Sequence, residues 1–163
     1  MSNSKLPDGD LVLATINRYV PEVIETMVGI VAKAETGNPQ AEQPSHMMGV
    51  VGSIGLSGKV NGMVYTAFAY DLAKCVAEKI LGGAASDQDV SDVVAELTNM
   101  ITGNLKSQLC DMGFNCSLSI PSVVKGDDIE VSAKTASVSV QNRYALEGCP
   151  GSLVVRVFAA MEQ

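Results

Sequence analysis

The chain has 163 residues, with 11 Lys and Arg against 18 Asp and Glu, for a formal net charge of −7. That balance argues against nucleic acid and anionic membrane surfaces as partners, since both demand dense positive charge. No Trp and only four Tyr and three Phe leave little surface for stacking bases.

The length favours one domain, 1–163, and a hydrophobic fraction of 47% supplies a core without metal or disulfide staples. The N-terminal Met1-Ser-Asn-Ser-Lys-Leu-Pro-Asp8 is polar and lacks the apolar region of a signal peptide. Apolar stretches are interrupted well before the roughly 18 residues a spanning helix needs. The expectation is a cytoplasmic protein with no membrane insertion. Cys75, Cys110, Cys116 and Cys149 form no C-x-x-C pair, and His46 stands alone. A zinc site is unsupported, and reduced, mostly buried thiols are expected.

In chain order, residues 1–7 read as a loose tail. From about Asp8 to Ala34 apolar residues recur at helical spacing, with Leu11, Ile16, Val20, Ile24 and Met27 among them. Pro21 inside this stretch predicts a kink or break. Glu35–Pro44 is a loop by its Gly, Asn and Pro content. Met47 to Ala69 reads as two strands joined through turn residues around Lys59–Gly62. Asp71–Leu81 is a short helix ending at Gly82-Gly83, and Asp87–Leu109 is a second long helix. Cys116–Val124 is read as a strand and Gly126-Asp-Asp128 as a turn. Ile129–Val140, Tyr144–Glu147 and Ser152–Met161 are read as further strands.

The order of elements repeats, which suggests a duplication with halves about 8–83 and 87–163. Pro21–Gly29 aligns with Ala95–Gly103 at an offset of 74, matching Glu22 to Glu96 and Gly29 to Gly103. Gly62–Ala69 likewise resembles Gly151–Phe158. The fold class expected is mixed α/β (α+β): a pseudo-symmetric antiparallel sheet with two long helices on one face and a short helix beside them.

The aligned helices differ at one polar position, Glu25 opposite Asn99. With Asp92 at zero and about 100° per residue, Glu96, Asn99 and Gly103 fall near roughly 40°, 340° and 20°. Val90, Val93, Val94, Leu97, Ile101 and Leu105 lie on the opposite side as a core face. The polar stripe therefore faces solvent or a partner. Gly103 costs on the order of 1 kcal/mol against Ala in a helix; it serves either close approach of another molecule or packing. Lys106 flanks the stripe, as part of a binding surface or as ordinary helix charge spacing against Asp92 and Glu96. Asn104 and Gln108 fall on the core side. Ser53–Val60 comes near a phosphate loop but lacks its first Gly and its final Ser or Thr, so no nucleotide site is expected.

Asp92-x-x-x-Glu96-x-x-Asn99, followed after 21 residues by Pro121, resembles the signature of the CheC/CheX family of chemotaxis phosphatases, one residue short in its last spacing. With the motif in one half only, the chain is most similar to the single-site CheX branch. The resemblance implies a phosphatase acting on the aspartyl phosphate of a CheY-like response regulator. Asn99 would orient the attacking water, and Glu96 would pair with a lysine of the regulator's active site. Gly103 and Lys106 would border the docked partner, Asp92 would either join them there or only solvate the helix, and Pro121 would set a strand edge or bend. The resemblance also implies a homodimer, with no cofactor bound by this chain and Mg²⁺ held by the receiver. The alternative is a non-catalytic receiver-binding or flagellar-switch scaffold of the same fold.

Overall fold

The computed structural model describes residues 7–161. The tail expected at 1–7 lies outside the described residues except for Pro7, which is buried. Helix α1 (Gly9–Val28) starts where the Asp8 side chain accepts a hydrogen bond from the Leu11 N–H at 3.0 Å, a capping arrangement that satisfies an orphan donor of the first turn. It ends at Gly29, whose φ of 78° is left-handed. Strands β1 (Ala32–Ala34), β2 (Ser45–Gly58) and β3 (Val60–Phe68) follow, then helices α2 (Tyr70–Leu81) and α3 (Asp87–Asp111). Strands β4 (Cys116–Leu118), β5 (Ser122–Val131), β6 (Val138–Leu146) and β7 (Ser152–Met161) complete the chain.

The strands form one seven-stranded sheet in the order β1-β6-β7-β3-β2-β4, with β5 also paired to β2. All strand pairs are antiparallel. The two stretches that resemble each other in sequence become β3 and β7, which lie side by side at the centre. Edge strands cross between the halves. β1 of the first half pairs with β6 of the second, while β4 and β5 of the second pair with β2 of the first. This reciprocal exchange is the pseudo-twofold pattern that the aligned helices suggest.

Alternation along the strands sends Val50, Val64, Phe68, Val140, Leu153 and Val155 into one core with Ile16, Ile24, Leu72, Leu97, Ile101 and Leu105 of the helices. Burying each such side chain stabilises the fold by about 1.5–3 kcal/mol. A second, smaller cluster of Met47, Val51 and Ala67 lies on the other face of the sheet. No helix among the described residues is long and apolar enough to cross a membrane.

Several local expectations are corrected. The first helix does not reach Ala34, because Gly29 caps it and Ala32–Ala34 pairs with Tyr144–Leu146 instead. α1 also runs unbroken through Pro21. Proline costs about 3 kcal/mol or more in a helix, which the burial of neighbouring Val20, Val23 and Ile24 can offset. The strand expected at Cys116–Val124 is interrupted at residues 119–121. Gly126-Asp-Asp128 is no turn but lies inside β5, where an extra residue opposite Met47–Gly49 forms a bulge. The strand read over Ile129–Val140 is divided between β5 and β6, and Tyr144 lies within β6. The thiols are not all reduced. Cys75 of α2 is disulfide-bonded to Cys149 in the β6–β7 connection, with Cα atoms 5.9 Å apart, while Cys110 and Cys116 are free. A sequence separation of 74 hid this pairing, which exists because α2 lies over that connection.

Candidate functional site

Helix α3 carries the polar stripe, and its seating explains where the stripe points. Its start is fixed by a capping box: the Asp89 N–H donates to the Ser86 hydroxyl at 3.1 Å, and the Ser86 N–H donates to the Asp89 carboxylate at 2.9 Å. Val90, Val94, Leu97, Ile101, Leu105 and Leu109 are buried along one face. Thr98, between Leu97 and Asn99, is fully buried against the sheet. Its hydroxyl donates to the Val94 carbonyl at 2.6 Å and lies 2.6 Å from the Thr66 hydroxyl of β3. With its single proton used on Val94, Thr98 accepts from Thr66.

This close approach requires Gly52 on β2. A Cβ there would stand 2.0 Å from Thr98 Oγ1 and 3.0 Å from Thr66 Oγ1. One turn later, the Thr102 hydroxyl donates to the Thr98 carbonyl at 2.7 Å. Gly52, Thr66 and Thr98 therefore set the height and rotation of α3, and hence the outward aim of the residues on either side of Thr98. Their part is absent from the motif. Its trace in the sequence is the pair of threonines, Thr98 and Thr102, at core-side helical spacing.

Asp92, Glu96 and Asn99 are exposed, and Gly103 and Lys106 are half-buried. Glu96 and Asn99 take no hydrogen-bond partner from the described residues, so both side chains are free to meet another molecule. Asp92 accepts a hydrogen bond from Gln88 Nε2 at 2.7 Å, one turn back on the same helix. Gly103 lies inside α3 with helical backbone, and a Cβ placed on it meets nothing within 4 Å. Its counterpart Gly29 is a left-handed cap. The two aligned glycines thus answer different needs: one ends a helix, the other leaves bare backbone in the stripe. On α1, Glu22 and Glu25 are likewise exposed.

Lys106 forms no ion pair with Asp92 or Glu96. It lies toward Cys116 of β4, whose thiol pKa is raised by burial and by neighbouring Cys110, with Lys106 opposing the shift. Asn104 and Gln108 are half-buried at this end.

Pro121 lies in the interruption between β4 and β5. Leu118 pairs with Leu56 and Ser122 with Ser53, so one more residue separates the β4–β5 pair than separates its β2 partners. Ser119 bridges the irregularity: its N–H donates to the Gly55 carbonyl at 2.9 Å, and its hydroxyl accepts from the Gly55 N–H at 2.8 Å. Pro121 therefore sits at a bend of an edge strand, where its missing N–H costs no ladder bond.

Residues 50–143 match the family model described as chemotaxis phosphatase CheX, and the chain belongs to this family. The matched span includes all of the helix motif and Pro121. The chain is 29% identical over 126 residues to the CheY-P phosphatase CheX of Thermotoga maritima, covering 72% of this chain and 79% of that one. It is similar to the crystal structure of a chemotaxis protein CheX from Desulfovibrio desulfuricans, with a TM-score of 0.80, 26% identity, and coverage of 91% of this chain and 99% of that one. The same fold occurs in the crystal structure of a CheX–CheY complex with BeF3 and Mg from Borrelia burgdorferi, with a TM-score of 0.72, 20% identity, and coverage of 91% and 97%.

Proposed function

We propose that this protein hydrolyses the aspartyl phosphate of a CheY-like receiver, using Glu96 and Asn99 of α3. The observation that carries this reading is the pairing of two conditions on one helix. Glu96 and Asn99 are exposed and without intramolecular partners, while Thr98 between them is locked into the sheet. A reactive surface held at fixed height is what in-line attack requires. The membership in the CheX family and the likeness to a CheY-P phosphatase support the substrate class.

The chemistry suits these side chains. Residues i and i+3 on a helix stand about 5–6 Å apart at Cβ, so Glu96 and Asn99 reach one small target together. An acyl phosphate is already labile, and catalysis reduces mainly to positioning and charge complementarity. The Asn99 carboxamide both donates and accepts hydrogen bonds, and so holds a water in line with phosphorus. The water oxygen attacks phosphorus as the bond to the aspartyl oxygen breaks, giving inorganic phosphate and a free carboxylate. Glu96 pairs with a lysine of the receiver's active site and sets the docking register. Mg²⁺ belongs to the receiver's acidic pocket, with no ligand supplied by this chain. Asp92, held by Gln88, borders the docked surface with Gly103 and Lys106. The protein works in the cytoplasm, where such receivers reside, and as a homodimer; light scattering in solution checks the latter.

The test is to mix the protein with a receiver carrying radiolabelled aspartyl phosphate and follow loss of label. The parent protein accelerates the loss, and Glu96→Ala raises the receiver concentration needed for half-maximal rate. A parent that binds the phosphorylated receiver without accelerating its hydrolysis would establish the scaffold alternative instead.

A further inference from the structure

The face of the sheet away from the helices holds the one side-chain atom among the described residues that is buried without a hydrogen-bond partner, Nε of Arg156. Arg156 of β7 is only 3% exposed. Its Nη1 donates to Gln141 Oε1 at 2.7 Å. Its Nη2 donates to the Ser139 hydroxyl at 3.1 Å and to the backbone carbonyl of Glu42. The guanidinium carbon lies 4.8 Å from the centroid of the Phe158 ring. These contacts engage three of the five N–H groups a guanidinium carries. All three acceptors are neutral, and no carboxylate of the described residues pairs with the charge. Glu42 is exposed, and its contact is through the main chain.

A buried cation without a counter-charge is costly, because the low-dielectric interior replaces its hydration shell with too few dipoles. In accord with this, burial alone lowers the Arg156 pKa from its ordinary value. Arg156 lines an open cleft of about 450 Å³ together with polar Asn38, Ser45, His46 and Gln141. His46 and Gln141 also line an adjoining cleft of about 390 Å³ that contains Arg143. In a chain of net charge −7, one arginine thus lines each of two adjoining recesses, the first polar and the second bordered largely by apolar Met47, Met48, Ala67 and Val154. Among the described residues, the only acid lining either cleft is exposed Glu42, while Asp128 is engaged by His46 at 2.7 Å.

We infer that the polar recess is an oxyanion site: it takes the carboxylate or phosphate group of a small molecule onto Arg156, with Arg143 in the adjoining recess. Arginine suits this role because its planar fork of donors matches both groups and its charge is permanent. The site lies on the opposite face of the sheet from α3, so it stands independently of the receiver-directed reading.

The test watches the unpaired atom itself. In ¹⁵N-labelled full-length protein, the Arg156 Nε–Hε cross-peak is assigned from the parent protein's own backbone-to-side-chain correlations. It is then followed during titration with inorganic phosphate, with acetate and with chloride at matched ionic strength. A saturable shift with phosphate marks a phosphate-type ligand, and one with acetate a carboxylate. Chloride gives no saturation. Exposed Arg143 can be changed without disturbing the core, and Arg143→Ala weakens the saturating titration by roughly two- to fivefold, the range of a single solvent-facing charge. Linear shifts that are equal for all three salts would overturn the inference and leave Arg156 as a clamp holding the 38–45 loop against the sheet.

Discussion

The seat of α3 can be perturbed at one residue that touches neither the stripe nor any partner. In Gly52→Ala the new Cβ starts 2.0 Å from Thr98 Oγ1 and 3.0 Å from Thr66 Oγ1. Ordinary non-bonded contact lies near 3.5–4.0 Å, so α3 must lift by roughly 1.5 Å or Thr98 must leave its rotamer. Overpacking of this kind costs about 1–3 kcal/mol, and loss of the Thr66–Thr98 bond adds about 0.5–1.5 kcal/mol. At roughly 2–4 °C per kcal/mol for a chain of this size, a total of about 2–4 kcal/mol lowers Tm by roughly 4–16 °C. The lift also displaces Asn99, and a misplacement of about 1 Å can cost on the order of 100-fold in rate. Circular dichroism melts and receiver dephosphorylation measure the two effects. Adding Thr98→Ala to Gly52→Ala removes the obstructing hydroxyl, so the pair is less destabilising than the sum of the single changes by about 0.5–3 kcal/mol. An unchanged Tm in Gly52→Ala, or strict additivity of the two substitutions, would refute the proposed seat.

Other perturbations separate structural from partner-directed roles. Gly103→Ala relieves a mid-helix glycine with nothing within 4 Å of the new Cβ; stability rises by about 0.5–1 kcal/mol while half-saturation by receiver shifts to higher concentration, as chemical denaturation and titration will read. Ser86→Ala removes the cap of α3 and lowers stability by about 0.5–2 kcal/mol in urea denaturation. His46 is the sole histidine, and its hydrogen bond and charge attraction to Asp128 raise its pKa above 6.5. Its NMR titration midpoint therefore lies above 6.5 and falls toward that value in Asp128→Asn. Because the folded state holds the proton more tightly, this pair favours the fold below the unfolded-state pKa, and the benefit is lost as pH rises through the folded-state value.

Legibility in the sequence followed the range of the interactions. α3 and the core faces of β3 and β7 could be read because apolar periodicity is local, and Leu97, Ile101 and Leu105 do bury where the wheel places them. The Glu96–Asn99 stripe emerged from the same wheel, though a wheel alone cannot distinguish it from a solvated surface. Pairing partners were invisible. Ala32–Ala34 is too short to show alternation and becomes a strand only because β6 offers its edge. Gly126-Asp-Asp128 has turn composition yet lies in an edge strand, where β2 supplies the ladder and a bulge absorbs the extra residue. The Cys75–Cys149 bond, the Gly52–Thr98 contact and the unpaired charge of Arg156 each join residues distant in sequence. Of these, only the Gly52–Thr98 contact leaves a trace, in the core-side helical spacing of Thr98 and Thr102.

The most direct test of the central claim uses Asn99→Ala under single-turnover conditions, with the phosphorylated receiver saturated by excess protein. Binding and chemistry then separate. The water-positioning role predicts a first-order loss of the phosphoryl group slower by on the order of 100-fold, with the half-saturating concentration close to that of the parent protein. An Asn99→Ala protein that hydrolyses the saturated receiver at the parent rate would contradict the assignment of the reaction to this stripe of α3.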